Sequence, residues 1–356
     1  MLRKYGFIVL SLVLLLAACT GAAGDAGPAG PAGPAGPAGP AGAAGSDGVA
    51  ASADLNAADL SCTECHNDSS IITGQAMGMP AMIGMIVVLL LVLGAIFAPV
   101  VSPYDPDKTD LDNILAPPSL EHPMGTDELG RDLATRILYG GRVSLSIGVM
   151  AMGLAVLVGA VVGGLAGYYG GWIDNVLMRI IDATLSIPSL MFLILLSAIL
   201  RETDLPFVKS NSVMTIAVVL GILSWPTVAR LVRAVFLTVR EMEYVTAAHA
   251  LGASAPRIIL KEILPNGFGP IIVESTLGIG YAIMEESGLS FLGFGIMPPT
   301  PSWGNLLNNA QEHLTQYPWL AIFPGLMIFL TIISVNYIGD GLRDALDPYK
   351  VLSKVE

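Results

Sequence analysis

The chain has 356 residues, of which 53% are hydrophobic and only 13% are charged. Soluble domains carry about 25% charged residues, so this composition excludes an ordinary water-soluble enzyme and indicates a protein whose main solvent is lipid. The formal net charge of −12 argues against nucleic acid as a partner, because phosphate binding needs an excess of Lys and Arg.

The first 19 residues are predicted to be a secretory signal of the lipoprotein type. Arg3 and Lys4 precede an apolar run at 7–16, and two small residues then precede Cys19. A basic start, a short apolar run and small residues before a cleavage site are typical of signal peptides. This order resembles a bacterial lipoprotein signal and implies lipidation of Cys19; the alternative is an uncleaved signal anchor.

Residues 20–81 are predicted to be a low-complexity segment without a packed core of its own. From Gly21 to Gly48 glycine stands at every third position, and proline follows five of these glycines. This period is typical of a collagen triple helix. Because the repeat is short, it favours an extended spacer over a triple helix.

Cys62, Cys65 and His66 form a C-x-x-C-H sequence, which is the attachment signal for c-type haem. The two thiols would bond to the haem covalently, and the histidine would be an axial ligand of the iron. Together with the signal and spacer, the first 75 residues or so resemble the start of an extracellular multihaem cytochrome lipoprotein. The motif occurs once, and its Gly/Ala-rich neighbours cannot enclose a haem. Covalent haem c is therefore an alternative prediction for this segment alone.

From residue 82 onward the sequence predicts an all-α polytopic membrane protein. Met82–Val101 is an uncharged run of twenty residues, long enough to cross a hydrocarbon core of about 30 Å. Backbone groups in lipid have to be hydrogen-bonded within their own segment, so each apolar stretch is expected to be helical. We expect a first helix and its loop at 82–143, a helical domain at 144–345 and a tail at 346–356. The later spans are predicted at about 144–168, 175–200, 213–232, 270–293 and 319–339.

The distribution of basic residues predicts the orientation of these helices. The segment from Arg230 to Lys261 carries five Lys and Arg residues, whereas residues 294–318 carry none. Because cytoplasmic loops are enriched in Lys and Arg, we expect this basic segment and the C-terminus in the cytoplasm. With six spans, Met82 then has to enter the membrane from the cytoplasmic side.

Several stretches of this region resemble the permease subunits of ABC importers. Residues 243–252 (EYVTAAHALG), followed by residues 263–266 (ILPN), are similar to the EAA signature of these permeases. Residues 122–142 and 286–304 narrow the resemblance to the dipeptide/oligopeptide/nickel type, and the ending DGLRDALDP is similar to its C-type subunit. The resemblance covers about residues 82–350 and implies the six-helix transmembrane domain of a type I ABC importer.

The resemblance implies a transport subunit of the bacterial inner membrane rather than an enzyme. Its cargo would be peptides, nickel or related solutes, moved by alternating access. The permease itself would need no cofactor and no bound metal. The implied partners are a second homologous permease, two cytoplasmic ATPases and an extracytoplasmic solute-binding protein. No phosphate-binding loop occurs in the sequence, so ATP hydrolysis is expected in separate subunits. The alternative function, supported by residues 1–75 only, is an exported haem lipoprotein for electron transfer.

Candidate site residues fall into two groups. In the family, the EAA segment, here about 241–266, forms a helix that docks on the ATPase. The other group is a translocation pathway or outer gate, since an intramembrane carboxylate is costly unless it faces a cavity or a partner; contact with cargo and support of the outer loop both remain open. The coupling candidates are Glu243, Ala247, Ala248, Gly252, Leu264 and Pro265, and the pathway candidates are Glu286, Ser290 and Phe291.

Two structural predictions concern charged and aromatic residues of the membrane domain. Arg179 and Asp182 lie one helical turn apart and are expected to form an ion pair. Trp303 and Trp319 flank the outer loop and are expected to be interfacial anchors.

The two parts of the sequence predict opposite topologies. An exported His66 would force the span at Met82 to run inward, which would place the basic EAA segment outside the cell. No Lys or Arg occurs from Tyr5 to Asp107, although a cytoplasmic lead before the first span should be basic. The sequence therefore predicts a junction of two unrelated sequences near residues 75–81.

Overall fold

Helices joined by turns make up nearly all of the computed structural model, which describes residues 78–203 and 212–346. Within these ranges the β structure is limited to one isolated β-bridge between Thr126 and Asp132. The main helices are α1 (Met79–Ile96), α2 (Leu133–Tyr169), α3 (Gly171–Leu185), α4 (Ser189–Glu202), α5 (Ser212–Val239), α6 (Glu243–Ala250), α7 (Phe268–Phe291), α8 (Trp303–Ala310) and α9 (Trp319–Leu346).

Four of these helices, α1, α2, α5 and α9, are long and apolar enough to cross a membrane. The number rises to six if each of two bent helix pairs counts as one span. One pair is α3 with α4, bent by 83°, and the other is residues 255–266 with α7, bent by 65°. The third predicted span, at 175–200, is therefore broken. Pro188 lies at this break, as expected for a residue that cannot donate a helical hydrogen bond.

The close pair α2 and α5 forms the centre of the helical domain. Gly159, Gly163 and Gly167 recur at every fourth position of α2 and face α5. A Cβ atom at Gly163 would lie 2.3 Å from the carbonyl oxygen of Ala229. Small residues at this spacing allow membrane helices to approach backbone to backbone, so larger side chains at these glycines would separate the pair.

Helix α7 packs against α2 in the opposite direction and gives the domain two distinct ends. Ser144 of α2 contacts Glu286 of α7, whereas Met152 of α2 lies against Gly278, farther back along α7. We refer to residues 102–132 and 292–318 as the loop end, and to residues 240–267 as the short-helix end. Each end has its own buried apolar cluster, with Leu133, Ile137, Leu306 and Leu320 at the first and Phe236, Val245, Ile258 and Ile263 at the second.

Candidate functional site

Glu286 occupies a fully buried position in α7, beside α2 at the loop end, with 0% of its surface exposed. Ser290 Oγ donates a hydrogen bond to Glu286 Oε1 at 2.7 Å, and Ser144 Oγ donates one to Oε2 at 3.0 Å. Ser287 Oγ lies 3.5 Å from the same Oε2. A buried carboxylate needs such donors, because it loses its hydration on burial.

The two serines connect Glu286 to the backbone of the following loop. The amide N–H of Ile296 donates to Ser290 Oγ at 3.0 Å, and that of Trp303 donates to Ser144 Oγ at 3.2 Å. The carboxylate is thus linked through one hydroxyl to each end of the 296–303 segment.

Helix α8 is fixed to the same place by its own N-terminus. Ser302 and Asn305 form a capping box, in which each side chain accepts a hydrogen bond from the backbone N–H of the other. The indole Nε1 of Trp303 donates to the carbonyl of Ile137 at 3.0 Å, and Trp303 is 2% exposed. The prediction of an interfacial anchor is therefore wrong for Trp303, because α8 folds back onto α2 and buries the ring.

The pathway candidates do not share one environment. Glu286 and Ser290 are buried in the network, whereas Phe291 is 38% exposed at the end of α7. The carbonyl of Phe291 accepts hydrogen bonds from Asn308 Nδ2 at 2.6 Å and Gln311 Nε2 at 3.1 Å. Of the two roles left open by the sequence, this geometry favours support of the loop for Glu286.

A second buried polar network holds residues 102–132. Asp127 accepts hydrogen bonds from the backbone N–H and Nε of Arg131, the latter at 2.7 Å, and lies 3.5 Å from Nε of Arg136. Asp132 pairs with Nδ1 of His122 at 2.9 Å and caps α2 by accepting from the N–H of Thr135 at 2.7 Å. Both carboxylates combine a side-chain partner with a hydrogen bond from the backbone, which fixes the loop to the start of α2.

At the short-helix end, α6 packs on the domain by one narrow face. Val245 is buried in the second apolar cluster, and Ala248 lies against that cluster. Glu243 and Ala247 are exposed, and Leu251, just after the helix, is 88% exposed. Four of the coupling candidates thus lie in or next to a small helix whose outer face contacts no described part of the chain.

Gly252 ends α6 in a Schellman motif. Its own N–H donates to the carbonyl of His249, and the N–H of Ala253 donates to the carbonyl of Ala248. The φ angle of Gly252 is +78°, and a Cβ atom added there would meet no atom within 4 Å. The position therefore favours glycine for its backbone conformation and not for lack of space.

The chain returns to the membrane through a π-helical turn, Ile258–Ile263, and the short helix Leu264–Asn266. Pro265 stands at the start of that short helix, and the bend into α7 follows at Gly267. The break thus lies two residues after Pro265, because proline is compatible with the first turn of a helix. Leu264 is partly buried, and Pro265 is exposed.

The predicted ion pair between Arg179 and Asp182 is wrong. Asp182 pairs with Arg230 of α5, and Asp174 pairs with Arg233, whose Nη2 lies 2.6 Å from Asp174 Oδ2. Both acids of α3 face the neighbouring helix α5, so the partner on α5 replaces the one on the same helix, and Arg179 is exposed. Arg240, just after α5, links this helix to α2 instead, by donating to the carbonyl of Gly167 at 2.9 Å near the C-terminus of α2.

The predicted lipidation site Cys19 and the haem candidates Cys62, Cys65 and His66 lie outside the described residues. Within 78–203 and 212–346, no group of three or more His, Cys, Asp or Glu residues is arranged to hold a metal ion.

Comparison with known proteins gives two family matches. The model for binding-protein-dependent transport system inner membrane components matches residues 155–350. The model for the N-terminal TM domain of oligopeptide transport permease C matches residues 79–118.

Individual relatives match across most of their length. The chain is 43% identical to the dipeptide transport system permease protein DppC of Alkalihalophilus pseudofirmus over 268 residues, which are 75% of this chain and 85% of the relative. It is 42% identical to the oligopeptide transport system permease protein OppC of Bacillus subtilis, with the same coverage. A di/tripeptide transport system permease protein DppC of Pseudomonas aeruginosa is 40% identical over 74% of this chain and 86% of its own.

Proposed function

The chain belongs to the family of binding-protein-dependent transport system inner membrane components and is a permease subunit of an ABC importer, and we propose that its cargo is dipeptides and oligopeptides. This cargo assignment rests on the sequence identity of 40–43% to permeases named for dipeptides, oligopeptides and di/tripeptides, over about three quarters of the chain. As a permease it is not an enzyme, and its helices move solute without covalent chemistry.

We propose that the short-helix end docks on a cytoplasmic ATPase subunit. Tyr244, Leu251 and Leu260 of this end expose 42%, 88% and 62% of their surfaces. Apolar side chains that the chain itself leaves uncovered are suited to burial by a partner. Val245 and Ala248 would transmit the motion, because they join α6 to the cluster that includes Phe236 of α5.

The complete importer would contain a second homologous permease, two ATPases and an extracytoplasmic solute-binding protein. The five basic residues between Arg230 and Lys261 support a cytoplasmic short-helix end. The loop end would then face outward toward the binding protein, and the C-terminus would be cytoplasmic in the inner membrane. In this alternating-access mechanism, ATP binding in the ATPases would move α6 and open the pathway outward.

Uptake of radiolabelled glycyl-leucine tests the cargo and the docking surface together. Cells would produce the full chain with its partner subunits, and Leu251→Asp would be compared with the unchanged protein. We expect the variant to be produced normally but to lose most uptake and to release the ATPase subunits during purification, because a carboxylate would enter an apolar contact.

Leu120→Asp is the matched control, since Leu120 at the loop end is also fully exposed. It should retain the ATPase subunits on purification. Retention of the ATPase by Leu251→Asp would contradict the docking surface, whereas absence of glycyl-leucine uptake by the unchanged protein would contradict the peptide cargo.

We further propose that the chain joins two unrelated sequences near residues 75–81. The family matches begin at residue 79, and the exported C-x-x-C-H segment is incompatible with a cytoplasmic Arg230–Lys261 segment. One uninterrupted DNA read across codons 60–95 tests the junction, together with reporter fusions at positions 75 and 260. A continuous native gene with position 75 outside and position 260 inside would contradict the six-span topology.

A covalent haem stain tests the alternative function of this N-terminal segment. Haem on the 37.1 kDa band that disappears in Cys62→Ala would support electron transfer by the first 75 residues or so. An unstained band would contradict it and leave the permease assignment unaffected.

A further inference from the structure

We propose that Glu286 is a positioning residue that holds both ends of the 296–303 segment against α2 and α7 through hydrogen bonds, and that it contacts no cargo. We call this set of hydrogen bonds, from Glu286 through the two serines to the backbone, the clip. The proposal rests on the permease function and gives its buried carboxylate a defined task. Four residues carry it, namely Ser144 and Ser290 as the intermediate hydroxyls and Ile296 and Trp303 as the clipped backbone positions.

The direction of each hydrogen bond follows from the backbone. The amide N–H groups of Ile296 and Trp303 can only donate, so the hydroxyl oxygens of Ser290 and Ser144 are acceptors there. Each hydroxyl then has its single hydrogen left for Glu286. Both oxygens of Glu286 therefore act as acceptors, one for each end of the segment.

This pattern requires a carboxylate and not an amide. A glutamine at position 286 would keep one oxygen and replace the other with an NH₂ group, which cannot accept from a hydroxyl. One serine would lose its acceptor and the other would keep it. A serine that loses its acceptor can still accept from the backbone N–H and from the new NH₂ group, so we expect Gln at this position to weaken one of the two links and Ala to remove both.

The packing around the two serines leaves no space for cargo. A Cβ atom at Gly295 would lie 2.0 Å from Ser290 Oγ, and one at Gly304 would lie 2.7 Å from Cβ of Ser290. The backbone of the loop end therefore covers the network directly. A peptide could reach Glu286 only after the segment had left its place.

The clip makes α2, α7 and α8 a single unit at the loop end. Residues 297–300 lie between the two clipped positions, and Met297 is 51% exposed. When the far end of α7 is displaced at the short-helix end, the clip would carry that displacement to the loop end.

Cysteine labelling measures release of the clip. Ile296 is 2% exposed and its neighbour Met297 is 51% exposed, so Ile296→Cys should react slowly with a maleimide and Met297→Cys rapidly. The full chain would be labelled in permeabilised membranes, where both membrane faces are accessible, and the chain without either substitution gives the background. The ratio of the two rates reports release of the segment without reference to cargo.

In the Ile296→Cys chain, Ser290→Ala should raise the labelling rate about tenfold, as expected for one lost buried hydrogen bond. Glu286→Ala should raise it further. In the Glu286→Ala background, Ser290→Ala should add little, because the two residues act through one link. Labelling at Met297→Cys should stay rapid throughout.

Ser275→Ala is the matched control, since Ser275 lies on the same helix and donates only to the carbonyl of Ile271. It should leave labelling at position 296 unchanged. Immunoblots of the membranes would establish that each variant is inserted in equal amount, and Ser144→Ala offers a second test if Ser290→Ala does not accumulate.

Unchanged labelling in the serine variants, or an additive effect of Ser290→Ala on Glu286→Ala, would overturn the clip. Loss of glycyl-leucine uptake in the serine variants without faster labelling would also overturn it and would assign Glu286 to cargo. Faster labelling in a chain that imports no glycyl-leucine would support the clip and contradict only the peptide cargo.

Discussion

The loop end and the short-helix end differ in which of their side chains the chain itself buries. At the loop end, Asp127, Asp132 and Glu286 are all buried, and each accepts several hydrogen bonds from nearby groups. At the short-helix end, the chain leaves Leu251 and Leu260 largely exposed. The first end thus buries its acidic side chains within the chain, and we propose that a partner covers the exposed leucines of the second.

We infer from this difference that the loop end is the rigid part of the permease and that motion enters at α6. Buried charge pairs break at high cost when one partner is lost, so the loop end resists local rearrangement. The short helices and the π-helical turn Ile258–Ile263 hold α6 by a small apolar contact around Val245. Motion that enters at α6 can therefore reach α5 and α7 while the loop end keeps its internal bonds.

Removal of the Asp127 carboxylate should give the largest loss of stability. Asp127→Ala leaves the side chains of Arg131 and Arg136 buried, at 5% and 0% exposure, without their shared acid. We expect the free energy of unfolding to fall by about 3–5 kcal/mol, measured by thermal denaturation of the purified chain in detergent. Asp112→Ala, an exposed acid of the same segment, should stay within about 0.5 kcal/mol. Equal losses in the two variants would contradict a rigid loop end.

Substitution of the two arginines of α5 should lower the free energy of unfolding by different amounts. Arg233 forms a two-point contact with Asp174, which is 13% exposed, whereas Arg230 and Asp182 are both about half exposed. Arg233→Gln should cost about 1.5–3 kcal/mol, as for hydrogen bonds between charged groups. Arg230→Gln should cost less than about 1 kcal/mol, as for surface pairs. Denaturation at low and high salt provides the measurement, and a larger loss for Arg230→Gln would reverse the ranking.

The sequence alone predicts the helices and the ends of the domain better than their contacts. Uncharged runs such as Met82–Val101 identify spans because lipid demands internal backbone hydrogen bonds, and the predicted span at 270–293 agrees with α7 within a few residues. The break at Ser186–Pro188 has a signal in Pro188, which an apolar count over 175–200 does not weigh.

Contacts between distant residues could not be predicted in the same way. Ser144 lies 142 residues from Glu286, and nothing in the local pattern of either residue identifies the other. The Arg179–Asp182 prediction failed because one-turn spacing permits a pair but does not exclude a better partner on a neighbouring helix. The N-cap Asp132, by contrast, has a local signal, an acid three residues before Thr135 at the start of an apolar helix.

Alanine at Gly252 should give a smaller, purely conformational effect. The added Cβ meets no atom within 4 Å, but φ is +78°, so Gly252→Ala should cost about 1–2 kcal/mol. Gly153→Ala is the control, because its Cβ also has open space in an ordinary helix; there alanine should stabilise by about 0.5–1 kcal/mol. Thermal denaturation should give opposite signs for the two variants. A stabilising effect at Gly252 would mean that the Schellman motif is absent in solution.

The smallest effect should come from Glu128, which is part of the loop end. Burial, reinforced by the nearby Asp127 charge, raises the pKa of Glu128 above its ordinary value. A raised carboxyl pKa means that the folded state holds the proton more tightly, so stability from this group increases as pH falls through the folded pKa. Glu128→Gln should therefore stabilise slightly at pH 7, and the gain should vanish below about pH 4, where the unfolded group is protonated as well.

Asp110, in the same loop, should respond with the opposite sign. Hydrogen bonds from the Asn113 side chain and the Asp112 backbone lower the pKa of Asp110, so its contribution is present above about pH 4 and is lost as pH falls through the folded pKa. Asp110→Asn should thus destabilise slightly at pH 7. Melting curves of both variants at pH 7 and pH 4 provide the measurement. A destabilising effect of Glu128→Gln at pH 7 would mean that the loop end is not closed around Glu128, because burial beside Asp127 is what raises its pKa.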